Sequence, residues 1–241
     1  MKEARYFYVP HAHEYTELPA EEAVHALRVL RLNVGDEMFL MDGEGSIFRS
    51  VVSMTSSKHC FYEIKEIMTP GKAWSGNIHI AIAPTKVMER IEWMAEKSTE
   101  VGFDSLSFVN SRYSERKVVN INRLEKIIVS AMKQSRKPYK PVVKEMEDFR
   151  SFIKCERNGK KYIAHCYEEV KRNDFFTTIK KDAGEDDYTI LIGPEGDFSI
   201  DEVKLAIEEG YEPITLGDFR LRTETAGLMA VTMAHLALRR G

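Results

Sequence analysis

Cysteine is scarce in this chain: Cys60, Cys155 and Cys166 are the only three in 241 residues. An odd number without CxxC spacing argues against a disulfide framework and a four-thiolate zinc centre, and makes a reducing cytoplasm the expected compartment. No apolar run is long enough to cross a bilayer, and Met1-Lys2-Glu3-Ala4-Arg5 does not lead into an apolar stretch, so neither membrane insertion nor secretion is expected. The chain has no GxGxxG opening a βαβ unit and no GxxxxGKS/T, which disfavours a dinucleotide or a nucleoside triphosphate. His11-Ala12-His13 is half a metal site that no cysteine or acidic cluster completes; it reads as a surface pair, and no metal is expected. Internal repeats and low-complexity segments are absent as well.

What is present is enough apolar material for real cores, 43% of the residues, and an uneven distribution of charge. The net charge is −3, yet between Arg112 and Lys144 ten Lys and Arg meet only Glu115 and Glu125, a local +8 that leaves −11 for the rest. Such a run can be a plain solvated face. Tyr113, Tyr139, Ser111, Ser114, Gln134 and Ser135 are interleaved with it, and these side chains bond phosphate or stack on bases, which favours a polyanion. The acidic remainder argues against a protein that merely coats nucleic acid.

Two regimes follow one another along the chain. The first 70 residues hold short strands at 38–41, 47–52 and 60–64, separated by turn residues at 33–36, 42–45 and 56–58, with one short helix over 20–30 carrying His25, Arg28 and Arg31. That spacing suits a small β-barrel. Thr69-Pro70-Gly71 marks a boundary, so domains are expected at 1–71 and 72–241. Beyond it strands at 78–83, 106–109, 162–165, 188–192 and 213–216 alternate with helices at 88–100, 121–134, 200 to about 210, and 225–238. Ser199-Ile200-Asp201-Glu202 is a capping box. The alternation predicts an α/β domain, a largely parallel sheet with helices on both faces.

The densest information lies near the end. Gly193-Pro194-Glu195-Gly196 follows the run Tyr188 to Ile192, and Leu216-Gly217-Asp218-Phe219-Arg220-Leu221-Arg222-Thr223-Glu224 follows a second short strand. Each opens into a helix, which puts two glycine loops at the carboxyl edge of the sheet, where open parallel sheets bind ligands. Glycine lets a ligand approach backbone amides and carbonyls. Taken alone the first loop could be only a tight turn before a capped helix. Paired with the second it reads as a pocket, because Arg220, Arg222 and Glu224 crowd one helix start. Glu224 also suits the positive end of that helix. His165-Cys166 ends a strand on the same edge and is either core packing or a third loop of the pocket; Cys166 as a nucleophile has no evident base partner. Glu96 to Glu100 reads as an exposed, charge-paired helix face.

Leu191 to Gly196, Leu216-Gly217 and Leu221 to Ala226 together resemble the signature of the ribosomal small subunit methyltransferase E family, within the SPOUT superfamily. His25 to Arg31 with Val34-Gly35-Asp36 resembles the family's N-terminal PUA-like domain, and Glu96 to Gly102, Ser114-Glu115-Arg116 and Gln134-Ser135-Arg136 are similar to further motifs in order. The resemblance implies a PUA-like β-barrel, a parallel-sheet domain with a C-terminal trefoil knot, a homodimer, S-adenosylmethionine as cofactor, and methylation of N3 of one uridine in 16S rRNA of the small ribosomal subunit. It places the cofactor among His165, Ile192, Gly193, Pro194, Glu195, Gly196, Leu216, Gly217, Leu221 and Thr223. Arg28, Arg31, Arg112, Arg116, Lys133, Arg136 and Lys137 become the expected RNA contacts, and Arg222 and Glu224 the expected catalytic pair, Glu224 as base or as orienter of Arg222. One departure is visible: where the family has arginine two residues after the loop glycine, this chain has Phe219, with Arg220 next. A superfamily enzyme acting on another nucleotide, and a non-catalytic RNA-binding assembly factor, are the alternatives.

Overall fold

The computed structural model describes residues 4–182, 184 and 187–240; the reading made at Met1 to Glu3 lies outside them. By internal contacts the chain forms two units, Met1–Lys72 with Val129–Lys140, and Ala73–Ile128 with Pro141–Gly241.

In the first unit β1 (Tyr6–Tyr8), β2 (Glu37–Met41), β3 (Ile47–Thr55) and β4 (Cys60–Met68) form one sheet in that order, β1 parallel to β2 and the other pairs antiparallel. Alternation decides which side is buried: Met38 and Leu40 of β2, Phe48 and Val52 of β3 and Tyr62 of β4 point into one core with Phe7, Leu18 and Ala26. The buried Tyr62 hydroxyl donates to Ala12 O at 2.8 Å. The helix expected over 20–30 is α1 (Ala20–Val24) continued by a π-helical turn, His25–Val29, in which Leu30 N donates to His25 O at 3.0 Å. The widened turn ends at Arg31, whose φ is +52°.

The second unit is built on β5 (Asn77–Ile82), β6 (Ser105–Asn110), β7 (Val142–Asp148), β8 (Lys160–Ala164), β9 (Asn173–Asp174), β10 (Asp187–Ile192) and β11 (Glu212–Thr215). Their order is β7-β6-β5-β10-β8-β11-β9, and every neighbouring pair is parallel. The central strands are apolar on both faces, as a sheet covered on both sides requires. Ile78, Ile80 and Ile82 of β5 and Ile190 and Ile192 of β10 face one core with α2 (Met88–Val101), α5 (Phe175–Lys181), α7 (Thr223–Leu238) and the start of α3 (Ile121–Ser135). The residues between them, Ala81 and Leu191, face a second core with α4 (Phe149–Lys154) and α6 (Ile200–Glu208). The expected doubly covered parallel sheet is therefore present. Gly227 lets α7 lie close on the sheet: a side chain there would start 3.2 Å from Ile82 Cδ1 and 3.3 Å from Met94 Cγ. β10, β8 and β11 are neighbours and run the same way, so the loops that leave them all emerge at one edge.

Candidate active site

That edge holds a cleft of about 790 Å³, a size that suits a small organic ligand. Its walls are Ala164 to Cys166 at the end of β8, Ile192 to Glu195 and Asp197 at and after the end of β10, Ile214 to Thr223 from the end of β11 to the start of α7, with Ala226 of α7, Glu168, Arg172 and Arg90. Of the expected cofactor residues, His165, Ile192, Gly193, Pro194, Glu195, Leu216, Gly217, Leu221 and Thr223 are brought together here, and Gly196 is not in the wall.

The first glycine loop is tied down by its own acidic side chains. Asp197 N donates to Pro194 O at 2.9 Å, closing the turn, and Asp197 takes φ +69°. Its carboxylate accepts from Phe198 N at 2.7 Å and from Cys166 N at 2.8 Å, so one side chain joins the loops after β10 and β8. Glu195 Oε1 accepts from Lys86 N at 2.9 Å. A side chain at Gly193 would begin 3.1 Å from Phe198 N, and one at Gly196 3.3 Å from Tyr113 Cβ, so both glycines answer to packing inside the protein. Gly217 differs: its φ is +133° and nothing lies within 4 Å of where a side chain would start. Of these three loop glycines, Gly217 alone has a backbone that is both strained for any other residue and open.

His165 is 4% exposed. Tyr167 N donates to its Nδ1 at 3.2 Å, which leaves the ring proton on Nε2. Burial holds its pKa below the usual histidine value, against the opposing pull of Asp197, so the ring is neutral. Nε2 is buried and has no hydrogen-bond partner among the described residues, an orphaned donor at the wall of a cleft. The Cys166 thiol is pushed up by burial and then by Asp197, which keeps it protonated and unsuited to nucleophilic work.

Arg222 caps α7 through its backbone, Ala226 N donating to Arg222 O at 2.8 Å, and its side chain is exposed, with no hydrogen-bond or ion-pair partner among the described residues. Glu224 is buried, and its charged neighbour is Arg90 at 3.9 Å. Arg220 Nη2 donates to Glu195 O at 3.4 Å, while Phe219 beside it is 87% exposed.

Residues 72–235 match the family described as RNA methyltransferase domain, and residues 18–65 match the RNA methyltransferase PUA domain. The chain belongs to the RNA methyltransferase family. Its N-terminal domain is PUA-like and its second domain is the parallel-sheet methyltransferase domain. A solved chain from Porphyromonas gingivalis, described as a probable rRNA-methyltransferase, is 40% identical, covers 97% of this chain and 98% of its own, and has a TM-score of 0.88. A methyltransferase from Legionella pneumophila in complex with the bound cofactor SAM is 25% identical, covers 98% of each chain and has a TM-score of 0.81. Ribosomal RNA small subunit methyltransferase E of Rickettsia conorii is 27% identical over 222 residues, 91% of this chain and 89% of its own. The resemblance drawn from the motifs thus holds over nearly the whole chain.

The basic residues of this RNA methyltransferase fall in both units. In the first, Arg28 and Arg31 are exposed, Arg136 lies 5.4 Å over the Tyr6 ring, and Lys133 Nζ is held by Glu22 at 2.7 and 3.0 Å; Lys137 is half-buried. In the second, Arg112 N donates to Glu202 Oε1 at 2.7 Å and its guanidinium lies 3.7 Å from Asp201, while Arg116 donates to Lys86 O at 2.6 and 3.1 Å. Lys133 and Arg112 thus each face a carboxylate of the protein, and Arg116 donates to a backbone carbonyl.

Arg90, Asp197 and Arg172, whose Nη1 donates to His165 O at 2.8 Å, belong to the cleft and were not picked out from the sequence. For Arg90 a signal existed: a cation in the first turn of a helix opposes the helix dipole.

Proposed function

We propose that this RNA methyltransferase uses S-adenosylmethionine to methylate N3 of one uridine in 16S rRNA of the small ribosomal subunit. The observation that carries the reading is the cleft between the two glycine loops, with the orphaned His165 Nε2–H in its wall. These residues fit the cofactor. Gly217 offers open backbone, Ile192, Leu216 and Leu221 supply apolar wall, His165 offers a buried donor, and Thr223 and Pro194 complete the enclosure. Gly193, Gly196 and Glu195 hold the loop in shape through Phe198, Tyr113 and Lys86.

When bound, S-adenosylmethionine supplies a methyl group on a sulfonium sulfur that a nucleophile displaces in line. The protein's part is alignment and charge. Uracil N3 carries an imide proton and becomes a nucleophile only on losing it, when negative charge spreads to the flanking carbonyl oxygens. Arg222, exposed at the start of α7 and in the wall of the cleft, is the cation proposed to stabilise that charge, and Glu224 is proposed to take the proton or to orient Arg222. The target base has to leave its pairing to reach such a cleft.

The finer architecture belongs to the same proposal: a closed barrel over 1–71 that binds RNA, and a trefoil knot in 72–241, supported by α7 returning to pack on α2, α5, β5 and β10. A homodimer is supported by the apolar Leu228, Met229, Met233 and Leu236 on the partly exposed side of α7, where Leu236 is 54% exposed. Among the described residues no helix is long and apolar enough to cross a membrane, and a cytoplasmic enzyme is proposed. Incubation with isotope-labelled S-adenosylmethionine and either naked 16S rRNA or small subunits should label the RNA in one arm or both. Binding of RNA with no label in either arm would establish the non-catalytic assembly factor instead.

A further inference from the structure

We infer that Arg90, paired with Glu224, is a catalytic residue that receives an oxyanion of the reactants, and that Glu224 is its positioning residue. The inference rests on the cleft being the methyl-transfer site. Glu224 is the second residue of α7, and its side chain is 9% exposed. Oε1 stands 3.9 Å from Arg90 Nε, and Oε2 has no hydrogen-bond partner among the described residues. Burying a carboxylate with one loose ion pair and one vacant oxygen is costly, and the positive end of α7 offsets only part of that cost. Stability therefore does not account for the pair.

Arg90 raises the same question from the other side. It sits in the first turn of α2, shortly after the carboxyl end of β5, where the helix dipole disfavours a cation. Its side chain lines the cleft, is 38% exposed, and has no ion-pair partner besides Glu224 among the described residues. A guanidinium carries five N–H donors in a planar fork. With Nε turned to Glu224, the two terminal nitrogens remain for an oxygen in the cleft. At 3.9 Å the contact is a charge pair without a hydrogen bond, and a buried carboxylate behind such a fork biases its direction before the ligand arrives, which is the preorganisation that charge stabilisation in a transition state demands. Two oxygens of this chemistry reach a methyl-transfer cleft. One is the carboxylate on the methionine part of S-adenosylmethionine; the other is a uracil carbonyl once N3 has lost its proton.

The test uses the full chain with Arg90→Ala, Arg90→Lys, Glu224→Gln and the double variant Arg90→Ala/Glu224→Gln. Calorimetry gives the affinity for S-adenosylmethionine, single turnover at saturating cofactor gives the methyl-transfer rate, and thermal melting checks the fold. Arg90→Ala should lose at least about tenfold in one arm. A weakened affinity assigns the oxygen to the cofactor carboxylate; a slowed transfer at unchanged affinity assigns it to uracil. Arg90→Lys should recover part of the loss. Glu224→Gln, nearly isosteric, should impair the same arm, and the double variant should be no worse than Arg90→Ala alone, because Glu224 acts through Arg90. Unchanged affinity and rate in Arg90→Ala, or losses that multiply in the double variant, would overturn the inference. A wild-type chain that binds the cofactor but transfers no methyl to either RNA substrate sinks the functional reading instead; unchanged affinity in Arg90→Ala then overturns this inference as well.

Discussion

The three loop glycines read alike in the sequence and differ in the protein. At Gly193 and Gly196 a side chain would begin only 3.1 Å from Phe198 N and 3.3 Å from Tyr113 Cβ, a tight fit, whereas Gly217 has a φ of +133° with open space in front of it. No spacing rule separates these cases, since the neighbours come from distant parts of the chain. Their variants should differ accordingly. Gly217→Val should lose S-adenosylmethionine affinity steeply with little change in melting temperature. Gly193→Val should lose affinity and melt lower together. Calorimetry showing wild-type affinity in both would remove the cofactor from these loops. Arg222→Ala should slow methyl transfer by about 10²-fold, the order seen when one charge-stabilising donor is lost, with cofactor affinity nearly unchanged. Single-turnover rates near wild type would move that role to Arg90 or Arg220.

At the scale of elements, the long periodic segments and the capped ones were legible and the short or exposed ones were not. The Ser199 capping box is formed, Glu202 Oε2 accepting from Ser199 N at 2.8 Å and Ser199 Oγ from Glu202 N at 3.3 Å. Glu202 also holds Arg112 N at 2.7 Å, a tie across 90 residues that local pattern does not reveal. β7 was missed because it is half exposed and lacks a clean alternation, and α4 and α5, of 6 and 7 residues, are too short to show a helical period. Ser199→Ala should cost about 1 kcal/mol, read as a lower urea midpoint. Strand β5 contributes a pH dependence of its own. His79 bonds Ser107 Oγ at 2.8 Å, and burial, then Arg157 and Lys144, bring its pKa from 6.5 to about 3. The unfolded chain therefore takes up a proton that the folded chain refuses. Stability from this group is full above about pH 6.5 and is lost as pH falls towards 3. Urea unfolding of His79→Gln should show a flatter dependence across that window than the wild type; equal slopes would contradict the assignment.

For the whole molecule, the order of strands and helices was enough to read the parallel sheet, and two motifs at its carboxyl edge were enough to read the cleft. The contact-based units were harder to foresee, because α3 is one continuous helix of 15 residues while Val129–Lys140 packs with the first unit. The same packing changes what the basic run means, since Lys133 sits on the buried Glu22. Lys133→Gln should lower the melting temperature by leaving Glu22 unpaired, whereas replacing Arg28, Arg31 and Arg136 with Gln should weaken RNA binding. Each lost phosphate contact should flatten the logarithmic salt dependence by roughly 0.7 to 0.9. An unchanged salt slope in that triple variant would reduce these residues to a solvated face.

The central claim is tested most directly by digesting 16S rRNA to nucleosides after reaction with the protein and S-adenosylmethionine, and identifying the methylated product by mass spectrometry. The account predicts 3-methyluridine at a single position, formed far more slowly in the Arg222→Ala reaction. A methyl group on a ribose hydroxyl or on guanine would contradict it, and would leave the cleft with a different nucleotide as its substrate.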